Sequence, residues 1–117
     1  MKLSFTKLPS LLIGLLLLAP SLALSEEPIK IGVSLPLTGP ASTYGVELKK
    51  VISFANDKLA NNKFELVFED DKCSPKDAVT IAHKFVDLDK IKYVTGFACS
   101  GALVAAAPIY DRAGVSG

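Results

Sequence analysis

Phe64-Glu65-Leu66-Val67-Phe68-Glu69-Asp70-Asp71-Lys72-Cys73-Ser74-Pro75-Lys76-Asp77-Ala78 carries a complete strand, turn and helix start. Phe64 to Phe68 is rich in aromatic and β-branched residues, which suit a pleated, half-buried surface. It stops at the acidic turn Glu69-Asp70-Asp71, whose carboxylates are read as groups that cap or solvate the turn. Ser74 can then cap a helix, Pro75 sits where a missing N–H costs nothing, and Asp77 is acidic in the first turn. Ala78, Ile81, Ala82, Phe85 and Val86 follow at helical spacing and predict the buried stripe.

The same strand–helix pattern occurs on both sides of this stretch. Upstream, Ile29, Ile31 and Val33 alternate through a short strand, and Ser34 to Thr43 reads as a loop carrying Pro36, Gly39 and Pro40. A helix is expected from about Gly45 to Ala60. Leu48, Val51, Ile52, Ala55 and Leu59 form its apolar side, and Lys49, Lys50, Asn56 and Lys58 its polar side. Downstream, Tyr93-Val94-Thr95 is a strand, Gly96 to Cys99 its loop, and Ser100 can cap a helix that runs to Arg112 and stops at Gly114. Pro108 lies inside that helix and is expected to kink it or cost a hydrogen bond. Strands alternating with amphipathic helices predict an α/β fold: a parallel sheet joined by right-handed crossovers, with helices on its outside. The last residues, Val115-Ser116-Gly117, stand where a fourth strand should begin, so the sheet is expected to have three strands with the fourth missing.

The N-terminus has a different character. Of residues 1–25, fifteen are apolar, and Lys2 and Lys7 are their only charges. A positive start, the apolar run Leu11 to Leu18, Pro20, and small residues Ser21, Ala23 and Ser25 read as a secretory signal peptide, cut after Ala23 or Ser25. Leu11 to Leu24 is too short for a membrane span, which needs about 20 apolar residues. The 117 residues, with 13 basic and 12 acidic side chains, therefore divide into a signal peptide (1–25) and a folded part (26–117) of net charge −1. The whole chain's formal charge of +1 argues against a nucleic-acid partner, and the apolar content excludes disorder.

In an open parallel sheet, ligands bind beyond the carboxyl ends of the strands. Ser34 to Tyr44, Glu69 to Cys73 and Gly96 to Gly101 lie there. Ser100 offers a hydroxyl at a helix start, where the N–H groups of Gly101 and Ala102 are expected to be unpaired and to favour an anion such as a carboxylate. The alternative is that Ser100 only caps its own helix. Cys73 and Cys99 are the only cysteines, and in an oxidising compartment such a pair reads first as a disulfide, worth about 3–4 kcal/mol in the chain-entropy description. A zinc site with the single distant His83, and two free thiols, are the alternatives. His83 shares a polar helix face with Lys76, Thr80, Lys84 and Asp87 and reads as a solvated surface histidine. Glu69-Asp70-Asp71 could also be a metal or acid–base cluster. The spacing of Gly32, Gly39 and Gly45 makes no phosphate loop and there is no Gly-x-Ser-x-Gly elbow, so no enzyme, cofactor or metal is expected.

Several stretches together give a family resemblance. They are Ile29 to Val33, Pro36-Leu37-Thr38-Gly39-Pro40, Tyr44-Gly45, Asp70 to Val79, Ile91 to Gly96, Cys99-Ser100, Pro108-Ile109-Tyr110 and Gly114. Through them residues 28–115 resemble the periplasmic leucine/isoleucine/valine-binding proteins of ABC transporters. The resemblance implies part of the N-terminal lobe of a type I periplasmic binding protein fold, with strand order 2-1-3. It implies a Cys73–Cys99 disulfide, Ser100 on the α-carboxylate of a free amino acid, Ala98 and Cys99 bordering the pocket, and Tyr44 packing on the ligand. Val51 stands where many relatives have a glycine. The implied setting is periplasmic import of branched-chain or similar amino acids, with an inner-membrane ABC permease as partner and a monomeric full-length protein. A fragment holding half of the pocket is expected to bind poorly. The ligand-sensing domain of a membrane receptor with the same fold is the alternative.

Overall fold

Ile29, Ile31 and Val33 open a strand that continues through Ser34 to Leu35 (β1, Ile29–Leu35), two residues beyond the expected loop boundary. The computed structural model describes residues 26–117. The expected signal peptide, residues 1–25, lies outside the described residues. β1 is the centre of a parallel sheet. Phe64–Asp70 (β2) pairs along its whole length, from Ile29 opposite Phe64 to Leu35 opposite Asp70. Glu69 and Asp70 are thus strand residues and not part of a turn: β1 supplies backbone partners past the point where the apolar pattern stops. Tyr93–Gly96 (β3) pairs with the other side of β1, from Ile31 opposite Tyr93 to Ser34 opposite Gly96. The strand order is β2-β1-β3, as the resemblance implies. At the expected start of a fourth strand, Ser116 makes one parallel bridge to Tyr93. Its N–H donates to the Lys92 carbonyl at 3.0 Å, and its own carbonyl accepts the Val94 N–H at 2.8 Å.

Helix α2 (Pro75–His83) starts as its residues dictate, with Ser74 at the N-cap accepting the Asp77 N–H at 3.2 Å and Pro75 in the first turn. The backbone then widens into a π-helical turn, Lys84–Leu88, in which the Asp89 N–H reaches the Lys84 carbonyl. That turn was not foreseen. It places Phe85 fully buried against Gly32, where a Cβ would stand 2.7 Å from the ring. Lys84 is tied to Glu69 and Asp89, so the turn is also anchored to the end of β2. Helix α3 (Ser100–Ala113) contains Pro108 without ending there and stops at Gly114, which takes the left-handed conformation. Ala78, Ala82 and Phe85 from α2 and its extension meet Val94 of β3 and Ala102, Ala106 and Ile109 of α3. These residues form the core between the sheet and the two helices.

Adjacent strand residues point to opposite faces. Gly32 faces Phe85, so Ile31 faces the other side of the sheet. There it shares with Leu66 and Thr95 a groove of about 360 Å³ beside Ile52 and Ala55 of α1 (Ser42–Lys58). Helices therefore lie on both faces, giving three layers. The expected burial of α1 is corrected by its contacts. Val51 is 62% and Leu59 83% exposed, whereas Asn56, assigned to the polar side, bonds the backbone N–H and carbonyl of Phe64. Lys49, also assigned there, lies 4.8 Å from the Phe68 ring centroid. A polar side chain that satisfies the start of β2 turns the helix away from its apolar stripe.

Candidate functional site

All three strands point their carboxyl ends the same way, so the loops after β1, β2 and β3 share one edge of the sheet. Three close contacts join them there. Gly96 (φ 108°) brings its backbone against Ser34, and the Phe97 N–H donates to the Ser34 carbonyl at 2.8 Å. On the other flank, the Asp70 carboxyl accepts the Leu37 and Thr38 N–H groups at 2.8 and 3.2 Å and the Thr38 hydroxyl. Burial pushes the Asp70 carboxyl up, but these donors and the Lys72 N–H outweigh it and hold it below its ordinary value. The third contact is the Cys73–Cys99 disulfide, with Cα atoms 5.4 Å apart, which links the loops after β2 and β3. No cysteine is left free.

Lys72 and Cys73 both take left-handed conformations, at φ 51° and 58°. Residues other than glycine, asparagine and aspartate adopt that region at a cost. Two carboxyls hold them there. The Lys72 N–H donates to Asp70 at 3.1 Å and the Cys73 N–H to Asp71 at 2.9 Å, each an aspartate bonding the backbone two residues on. Asp71 is fully buried and also accepts the Ser34 hydroxyl at 2.8 Å. The carboxylates of this segment do cap, as expected, but Asp71 is not solvated. The bracing role of Ser34, Thr38, Asp70 and Asp71 was missed. The signal available was an aspartate two positions before each left-handed residue, which the sequence does not itself reveal as left-handed.

Ser100 is the first helical residue of α3 and not its cap. Cys99 is the N-cap, in an extended conformation, and no side chain caps the helix. Ala102 is a second correction: its N–H donates to the Cys99 carbonyl at 3.1 Å, an oxygen it shares with Leu103, because the first turn is tight. At this helix start, the N–H groups of Ser100 and Gly101 have no partner among the described residues. Ser100 and Ala98 are exposed and Cys99 half-buried, so this helix start faces solvent. Tyr44, in the first turn of α1, is 74% exposed at the same edge of the sheet. The helix start therefore offers two N–H groups and a hydroxyl to solvent, and Tyr44 is exposed on the same edge of the sheet. It suits holding a carboxylate by hydrogen-bond donation. His83 lies far along α2, exposed and 3.1 Å from Asp87. Among the described residues no group of three or more His, Cys, Asp or Glu side chains is placed to hold a metal ion.

Comparison with known proteins agrees with this architecture. Residues 28–116 match the family described as periplasmic binding protein. The Leu/Ile/Val-binding protein of Escherichia coli K12 is 37% identical over 112 residues, which cover 91% of this chain and 30% of that protein. Among solved structures, the branched-chain amino acid transporter substrate-binding protein LivJ of Streptococcus pneumoniae, in complex with isoleucine, superposes with a TM-score of 0.71 at 29% identity. The match covers 77% of this chain and 28% of that one. A solute-binding protein of an ABC transporter from Rhodopseudomonas palustris, in complex with 3,4-dihydroxybenzoic acid, superposes at 0.70 and 27% identity, over 77% of this chain and 28% of its own. The chain thus spans somewhat under a third of the length of the relatives it matches. With three parallel strands, their shared loop edge and a match over residues 28–116, this chain belongs to the periplasmic binding protein family.

Proposed function

We propose that this chain supplies the N-terminal half of a solute site in a periplasmic protein that delivers branched-chain or similar amino acids to an inner-membrane ABC permease. In this reading residues 1–25 direct export, and residues 26–117 are part of the first lobe. Ser100 and the free N–H groups of Ser100 and Gly101 hold the ligand carboxylate. Ala98 and Cys99 border it, and Tyr44 packs on its carbon skeleton. The reading assigns no covalent chemistry, so the protein is a carrier and not an enzyme, and its full-length form acts as a monomer.

One observation carries it: a solvent-facing helix start with two unpartnered N–H groups, held by a disulfide at the carboxyl edge of the sheet. The ligands named in the two solved structures, isoleucine and 3,4-dihydroxybenzoic acid, share a carboxylate and little else. That is the one group a helix start recognises without reading the rest of the molecule. The part of the site that selects the side chain is then supplied from outside residues 26–117.

Isothermal titration with leucine, isoleucine and valine tests the reading on a protein that joins this chain to a second lobe. Binding of at least one is expected, and Ser100→Ala should weaken it about tenfold or more, the scale of one charge-assisted hydrogen bond. No heat with any amino acid would sink the idea. The chain alone is expected to bind only weakly. Micromolar leucine binding by residues 26–117 would contradict the half-site assignment.

A further inference from the structure

Two adjacent carboxyls, Asp70 at the end of β2 and Asp71 just after it, both brace the loop after β2 but differ in their other partners. Asp70 faces the loop after β1 through Leu37 and Thr38. Asp71 faces inward and is fully buried, and no cation pairs with it among the described residues. Four hydrogen bonds converge on this one residue. Its carboxyl accepts the Ser34 hydroxyl at 2.8 Å and the Cys73 N–H at 2.9 Å. Its own N–H donates to the Leu35 carbonyl at 3.0 Å, and its carbonyl accepts the Ser74 N–H at 2.7 Å. The same Ser34 accepts, at its backbone carbonyl, the Phe97 N–H of the loop after β3.

A buried carboxyl held by neutral donors alone is a costly arrangement for a surface turn. What it holds explains its place. Cys73 is left-handed, and its disulfide partner Cys99 is the N-cap from which α3 begins. We propose that Asp71 is the positioning residue of the carboxylate site: its carboxyl fixes the Cys73 turn, and the Cys73–Cys99 bond transmits that placement to the cap from which Ser100 and Gly101 present their N–H groups. The inference rests on the assignment of Ser100 to the ligand carboxylate, but its mechanical content does not. In α3, the buried Tyr110 hydroxyl has no partner among the described residues. It is pushed up to about 12 by burial and by the charge of Asp71, which places α3 within the field of the same carboxyl.

Amide hydrogen exchange followed by NMR tests this without any ligand, so loss of leucine binding would overturn the functional reading and leave this one standing. The reporters are the Ala102 and Leu103 amides, both bonded to the Cys99 carbonyl, together with that of Cys73. In the oxidised chain, Asp71→Asn is expected to accelerate exchange at all three by about tenfold. After reduction by a dithiol, which leaves Cys73 and Cys99 as two thiols and is itself oxidised to a disulfide, the variant and wild type should match at Ala102 and Leu103 and still differ at Cys73. The Leu59 amide, bonded to the Ala55 carbonyl in α1, should not change in either state. If the variant does not fold, Ser34→Ala removes one of the two donors to the carboxyl and is expected to give the same selective, disulfide-dependent pattern. Unchanged Ala102 and Leu103 in the oxidised variant, the same acceleration with the bond open, or equal acceleration at Leu59 would each overturn the proposal.

Discussion

A Cβ atom on Gly96 would stand 2.3 Å from the carbonyl oxygen of Ser34, the same oxygen that accepts the Phe97 N–H at 2.8 Å. The contact is backbone against backbone, so no side chain can move aside. Gly96 also sits at φ 108°, outside the range of L side chains. Gly96→Ala is therefore expected to destabilise the fold by about 3 kcal/mol, with strain and a lost hydrogen bond adding together. Urea denaturation of variant and wild type measures it. A loss below about 1 kcal/mol would mean that β1 and β3 separate there at little cost.

Asp70 makes the stability depend on acid. Its folded-state carboxyl lies below the ordinary value of 3.8, so the hydrogen bonds to Leu37, Thr38 and Lys72 are fully available above that value. They are lost as the pH falls through the lower, folded value. Stability should therefore drop on going down from about pH 5, and Asp70→Asn should flatten that drop. Denaturation midpoints across pH 2.5 to 6, plotted for both proteins, decide it. Parallel curves would remove Asp70 as the source.

Tyr110 acts at the other end of the scale. Burial, aided by the charge of Asp71, pushes its hydroxyl up to about 12, and that hydroxyl has no hydrogen-bond partner among the described residues. The unfolded chain ionises it near 10 and the folded chain only near 12. Its contribution is thus complete below pH 10 and is lost as the pH rises toward 12. Of the three tyrosines, one should show its phenolate absorbance at about pH 12, and Tyr110→Phe should abolish that step. Because the hydroxyl is buried and unpaired, the same substitution should be neutral or stabilising by up to about 1 kcal/mol. A clear loss of stability would show that the hydroxyl is bonded in solution.

The Cys73–Cys99 bond closes a loop across a sequence separation of 26 residues. In the chain-entropy description a loop of that size stabilises the fold by about 3.5 kcal/mol. Reduction should lower the denaturation midpoint accordingly, and Cys73→Ala/Cys99→Ala should reproduce the reduced protein. Equal midpoints with and without a dithiol would leave the bond without a stabilising role.

The fold was legible where local chemistry and pattern agree. Ser74, Pro75 and Asp77 start a helix by their own backbone preferences, the three alternations of strand and helix give a parallel sheet, and the resemblance supplies its order 2-1-3. The misread places are those where a partner distant in sequence decides. Leu35 and Asp70 extend their strands because each is the other's neighbour. Asn56 turns α1 because Phe64 needs its amide. The Ser100 helix start was recognisable as a place with N–H groups left without a partner, but the sequence could not say which residue caps it. Cys99 takes that position because the disulfide and the left-handed Phe97 set the approach of the chain. The inward turn of Asp71 was hidden for a related reason. Three acidic residues in a row look solvated until strand pairing shows which of them faces the core.

The disulfide also changes what the polypeptide is as a thread. Residues 73–99 form a closed ring that carries α2, the π-helical turn and β3, so pulling on the two ends of an oxidised chain leaves this ring intact. Roughly 90 Å of contour, at about 3.4 Å per residue, stays out of reach of the pull until the bond is cut. Any passage that needs the chain in single file, such as a narrow pore, then has to precede the oxidation of Cys73 and Cys99. The bond works as a one-way mark in the molecule's history.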